Sequence, residues 1–161
     1  KDIFGAGFDY FAIREVRRRL VAERLEQYGL EKKPGIDEIL AFLHEKGIKA
    51  AVATATPIEL TLQHLEKIGV RGQFDRIVSA KQVAHGKPAP DVYLYACEQI
   101  GEAPQDCIAV EDSPNGIKSA YAAGCKPVMV PDLTQPDEEI LPMLYAVVDT
   151  LGHLSSLFTN A

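Results

Sequence analysis

Glu111 and Asp112 stand side by side at the end of an apolar run, Cys107 to Val110, and Ser113-Pro114-Asn115-Gly116 follows at once. Ser113 suits the N-cap of a helix and Pro114 its first position. Adjacent strand side chains point to opposite faces, so only the turn past the strand lets both acids reach one ligand. Such a pair resists double ionisation unless a cation or hydrogen bonds compensate. A hard divalent cation, Mg2+ above all, fits. The competing reading is a polar strand-to-helix loop in which Asp112 simply caps the helix.

Two further residues carry chemistry of the same kind. Thr54 places a hydroxyl at the end of an apolar run and just before a helix, an arrangement that binds phosphate through the hydroxyl, nearby amides and the positive helix end. Capping and packing alone would also account for it. Lys87 lies between Gly86 and Pro88, with Pro90 stiffening the loop further. A lysine fixed in this way can neutralise a phosphate or a developing negative charge; an exposed loop lysine is the plainer alternative. Hydroxyl, cation and acid pair each fall just past a strand or in the loop after one. Their convergence on one edge of a parallel sheet would make a phosphoryl-transfer site.

The elements that must hold them alternate. Ile36 to Lys46 reads as a helix, Ile48 to Ala53 as a buried strand, and Ile58 to Ile68 as a helix entered through Pro57, with Thr56 and Glu59 in capping-box spacing. Strands are expected at Phe74 to Ser79, Cys107 to Val110, Pro127 to Val130 and Ala146 to Val148. Helices are expected at Asp91 to Ile100, from Pro114 to Ala123 and at Leu151 to Phe158. This rhythm predicts an α/β fold with a doubly wound parallel sheet. Ahead of it, Phe8 to Tyr28 has helical periodicity and contains Arg17-Arg18-Arg19, which spread round a helix and suit a solvated face. The segment Glu31 to Gly35 is charged and broken by Pro-Gly, as expected of a boundary.

The chain has 161 residues and a net charge of −6, which gives no reason to expect nucleic acid as a partner. No apolar stretch is long enough for a transmembrane helix, so no membrane partner is expected. Cys97, Cys107 and Cys125 suit reduced, packed thiols of a cytoplasmic protein better than a disulfide framework.

In order and spacing, Thr54-Ala55-Thr56, Gly86-Lys87-Pro88-Ala89-Pro90-Asp91 and Val110-Glu111-Asp112-Ser113-Pro114-Asn115-Gly116-Ile117 resemble the haloacid dehalogenase superfamily, and more narrowly its β-phosphoglucomutase-like, sugar-phosphatase branch. The resemblance runs from about Lys33 to Pro131. It implies a core over residues 34–161 and, in residues 1–33, the remainder of the helical cap that selects substrate in that family. It also implies roles. Thr54 binds the transferring phosphoryl group with the amide of Ala55. Lys87 is the catalytic lysine that bridges phosphate and nucleophile. Asp112 is a Mg2+ ligand, with Glu111 beside it as a second ligand or outer-shell acid, and Ser113 and Asn115 orient the turn.

One departure is large. The family's first motif, an Asp-x-Asp on the first strand, supplies the nucleophile and the general acid-base, and no Asp-x-Asp occurs in this chain. Asp2, Asp9 and Asp37 lie at or before helical segments. In the family that motif precedes the cap, so it is expected upstream of Lys1, on a strand that sits between those beginning at Ile48 and Cys107. The chain is therefore expected to be truncated, or to pair with a chain or segment that supplies the strand. Two readings follow. One is a Mg2+-dependent phosphatase, or a phosphomutase, acting on a small phosphorylated metabolite such as a sugar phosphate. The other is a catalytically silent fragment that binds phosphate or pairs with a partner.

Overall fold

The computed structural model describes residues 9–158. Phe8, expected at the start of the first helix, and Asp2 lie outside them. The chain divides into two compact units, Lys1–Glu31 and Lys32–Ala161.

Among the described residues the first unit holds one helix, α1 (Tyr10–Tyr28). The Asp9 carboxylate caps it by accepting from the amides of Phe11 and Ala12 at 3.0 Å, and Gly29 ends it at φ 76°. None of its residues is buried. Arg18 and Arg19 make only exposed pairs with Glu15 and Glu23, so the arginine run is a solvated face.

The second unit runs α2 (Ile36–Glu45), β1 (Ala51–Thr54), α3 (Ile58–Lys67), β2 (Arg76–Ser79), α4 (Asp91–Ile100), β3 (Ile108–Glu111), α5 (Pro114–Ala122), β4 (Lys126–Met129) and β5 (Ala146–Val147). All pairing is parallel: β1 pairs β2, while β3, β4 and β5 form a three-stranded sheet in that order. The elements expected from the sequence are present, and their ends differ for physical reasons. Asp75 donates its amide to the Ala50 carbonyl and accepts the Ala50 amide on its carboxylate, each at 2.8 Å. That closed pair starts the ladder only at Ala51 and Arg76. The last helix is 3-10 over Leu151–Leu157. Within it the hydroxyls of Ser155 and Ser156 donate to carbonyls three residues back, competing with α-helical pairing.

Both faces of the strands are covered. On β3, Ala109 packs with α4 and α5 residues including Val92, Tyr93, Ala96 and Ala120, whereas Ile108 packs with Ile39 and Leu154. Successive strand residues pointing to opposite layers is what a doubly wound sheet requires. Val92, Ile117 and Val128 are fully buried, each contributing about 2 kcal/mol by apolar burial.

Among the described residues β1 and β3 do not pair with each other. A cleft of about 470 Å³ runs between them, walled by Ala51 and Ala53 on one side and by Ile108, Ala109 and Val110 on the other. Gly35 ties the back of this unit together: at φ +85° it packs so closely on Gly152 that an added Cβ would lie 2.0 Å from that amide nitrogen.

Candidate active site

The C-terminal ends of β1 and β3 carry Ala53 and Glu111, and Lys87 bridges them. Its ammonium donates to the Ala53 carbonyl at 3.0 Å and to Glu111 Oε1. Its loop is held from several directions. The buried Ser119 hydroxyl donates to the Ala89 carbonyl at 2.6 Å, and Pro88 and Pro90 restrict the backbone on either side. Lys87 is thus a fixed and largely buried cation, and the exposed-loop alternative does not hold.

Glu111 is enclosed. Its Oε1 accepts from Lys87 and from the Tyr93 hydroxyl, and the Ser113 hydroxyl stands 3.4 Å from Oε2. A Cβ added to Gly116 would lie 1.9 Å from Oε2, so the absence of a side chain there makes room for the carboxylate. Asp112 differs: it is exposed and makes no hydrogen bond or ion pair with the described residues. The adjacent acids therefore have separate environments, one committed to Lys87 and one open.

Ser113 caps α5 as its type predicts, accepting the Gly116 amide at 3.2 Å. Asp112 is not the cap. Asn115 is exposed and hydrogen-bonds no described residue.

The Thr54 turn departs from the capping-box expectation. Pro57 is the N-cap of α3 with extended backbone (ψ 141°) and no side-chain cap bond, so Thr56 and Glu59 do not cap it. Thr54 Oγ1 instead accepts the Thr56 amide at 3.1 Å. The fully buried Ser79 hydroxyl donates to the Thr56 carbonyl at 2.7 Å and fixes the turn to the end of β2. Ala55 is exposed at its tip. Lys87 reaches this turn only through the backbone of Ala53, the residue before Thr54.

Sequence reasoning missed Tyr93, Ser79 and Ser119. Tyr93 is buried in α4, its ring 4.8 Å from the Lys87 ammonium. Burial above all, then the Glu111 charge, holds its phenol well above the usual range, so it stays a proton donor. One signal was available: a tyrosine on an otherwise apolar helix face beside Val92, Ala96 and Cys97 needs a partner for its hydroxyl.

The donor set fits Mg2+ in one specific sense. Among the described residues no group of three or more His, Cys, Asp or Glu is placed to hold a metal. One open carboxylate, Asp112, suits an ion that keeps waters and takes substrate phosphate as ligand, rather than a site closed by protein.

The haloacid dehalogenase-like hydrolase family matches residues 5–130. The chain belongs to that family. Members similar to it include the plasmid-encoded CbbY protein of Cupriavidus necator, 41% identical over 74% of this chain and 48% of that protein. The phosphorylated carbohydrates phosphatase of Thermotoga maritima is 35% identical over 70% of this chain and 50% of that protein. The chain thus spans about half the length of these curated relatives. Among solved structures of the fold, a putative β-phosphoglucomutase from Thermotoga maritima superimposes with a TM-score of 0.80 at 28% identity, over 96% of this chain and 72% of that one. CbbY from Rhodobacter sphaeroides in complex with phosphate gives 0.75 at 27% identity, over 92% and 67%. In this haloacid dehalogenase-like chain Glu111 ends β3, and the Lys87 ammonium reaches it from the loop before α4, at the edge where open α/β sheets bind ligands.

Proposed function

We propose that this chain forms most of the catalytic core of a phosphatase acting on a small phosphorylated carbohydrate. The carrying observation is the Lys87 ammonium, fixed between the Ala53 carbonyl and Glu111 at the C-terminal ends of β1 and β3. A dianionic phosphate placed there would meet a preorganised cation together with the Thr54 hydroxyl and the exposed tip of its turn. The names of the relatives support the substrate class, since one is a phosphatase of phosphorylated carbohydrates.

The nucleophile in this reading is an Asp on a strand upstream of Lys1 that inserts between β1 and β3. Supporting it are the unpaired facing edges of those strands and the apolar cleft between them. A strand entering there would satisfy both sets of edge groups and deliver its last residue to Lys87. Its carboxylate oxygen would attack phosphorus as the ester P–O bond breaks, and the leaving alkoxide would take up a proton. Water would then hydrolyse the acyl phosphate, releasing phosphate and restoring the Asp. Through both steps Lys87 offsets charge on the phosphoryl oxygens, and Thr54 offers them a hydroxyl hydrogen bond.

Mg2+ is the proposed cofactor, with Asp112 as its ligand from this chain and Glu111 holding Lys87 beside it. When bound it would neutralise charge on the phosphoryl group.

A phosphomutase is the second reading, favoured by the similarity to a putative β-phosphoglucomutase. Assaying the full-length protein with Mg2+ against sugar and polyol phosphates tests both. Phosphate release supports the first, and isomerisation of a sugar phosphate without release supports the second. The 161-residue chain by itself is expected to show neither, because it contains no Asp-x-Asp.

A further inference from the structure

We infer that Tyr93 is a positioning residue for phosphoryl transfer, holding Glu111 on Lys87 so that of the two adjacent acids only Asp112 faces outward. This rests on the phosphatase reading above and adds to it a residue that the motifs do not contain.

Glu111 Oε1 accepts from both the Lys87 ammonium and the Tyr93 hydroxyl. The same tyrosine offers its ring to the ammonium at 4.8 Å. Tyr93 therefore contacts both members of the ion pair: its hydroxyl donates to Glu111 and stands 3.5 Å from the Lys87 ammonium as a further acceptor, and its π-face lies beside that ammonium. Its own place is fixed, because it is buried in the α4 layer with Val92, Ala96 and Cys97.

Without the hydroxyl, Oε1 keeps only the lysine as donor, and the nearest group to Oε2 is the Ser113 hydroxyl at 3.4 Å. The carboxylate is then free to rotate off Lys87 toward the open strand end, where Asp112 lies. Lys87 would retain the Ala53 carbonyl but lose the Tyr93 oxygen at 3.5 Å, and with it its fixed direction. Groups that orient a charged partner in this way typically contribute tenfold or more to activity.

The test is a double-mutant cycle on the full-length protein with Tyr93→Phe, Glu111→Gln and the pair. Tyr93→Phe keeps the ring and the packing and removes only the hydroxyl. The expected result is a fall in kcat of about tenfold, with KM changed less than about twofold. In the double variant the two losses should be less than multiplicative, because Tyr93 acts on the Lys87–Glu111 pair. Effects that multiply, or an unchanged kcat in Tyr93→Phe, would overturn the inference.

A second readout does not depend on turnover. The 15N resonance of the Lys87 side chain should be resolved in the wild type and collapse toward the exposed-lysine average in Tyr93→Phe. An unchanged Lys87 signal would overturn the positioning role. A wild-type protein inactive on every phosphate ester would instead count against the phosphatase reading, with the NMR comparison still deciding the place of Tyr93.

Discussion

Lys87 and Glu111 form a buried ion pair, their side chains 15% and 8% exposed, where the ends of β1 and β3 face each other across the cleft. The pair joins the Gly-Lys-Pro loop to the acidic turn and leaves Asp112 as the open acid. Its burial makes each partner sensitive to loss of the other.

Replacing Lys87 by Ala strands a carboxylate in the protein interior. The second unit should lose about 3 kcal/mol of stability, as found when one member of a buried pair is removed. Urea denaturation of Lys87→Ala beside Lys87→Ala/Glu111→Gln checks this, and the double variant should recover part of the loss. In the full-length protein either variant should be devoid of turnover.

Gly116 makes room for the Glu111 carboxylate. In Gly116→Ala the new methyl would displace a flexible side-chain end rather than backbone. Activity of the full-length protein should therefore fall by about tenfold or more, and the thermal midpoint should fall with it, because the displaced carboxylate leaves the buried Lys87 unpaired. A large drop in midpoint with kcat retained would show that the helix, not the carboxylate, had yielded.

Gly35 provides the opposite case. An added Cβ there would meet the backbone of Gly152 and Leu151, at a φ that already disfavours side chains. Gly47 has a similar φ of +65° with nothing within 4 Å. Gly47→Ala should cost about 1 kcal/mol from its backbone conformation alone, and Gly35→Ala at least about 3 kcal/mol. Chemical denaturation of the two variants side by side separates the contributions.

The three thiols converge at the opposite end of the sheet from Lys87. Cys97 and Cys125 have their sulfurs 3.9 Å apart. Burial pushes Cys97 up to about 11 and Cys107 up to about 12, and it raises Cys125 as well. Because the folded protein holds these protons more tightly than the unfolded chain, the stability they contribute is complete below about pH 9 and is lost as pH rises through about 11 to 12. Denaturation midpoints should fall across that window, and a variant with all three cysteines replaced by Ala should show a weaker fall. Labelling by a thiol reagent at pH 8 should be slow until denaturant is added.

Much of this was legible in the sequence because the chemistry is local. Ser113 and Pro114 start α5 as their types require, and the apolar runs before Thr54 and Glu111 become parallel strands. The Lys-Pro-x-Pro-Asp and Glu-Asp-Ser motifs marked the loops that carry Lys87 and Glu111. What was not legible depends on residues distant in sequence. Ser79 reaches the Thr56 carbonyl across a strand pair, Ser119 reaches Ala89 from another helix, and Tyr93 meets Glu111 only when tertiary packing brings α4 to the end of β3. The Thr56–Glu59 spacing misled because Pro57, with non-helical backbone and no amide hydrogen, took the N-cap position itself.

The most direct measurement is phosphate release from a panel of sugar and polyol phosphates by the full-length protein, with and without Mg2+, beside its Asp112→Ala and Lys87→Ala variants. The expected result is Mg2+-dependent hydrolysis of at least one ester, weakened in its metal dependence by Asp112→Ala and abolished by Lys87→Ala. Hydrolysis that survives Lys87→Ala unchanged would contradict it, as would the absence of phosphoryl transfer from every ester tested.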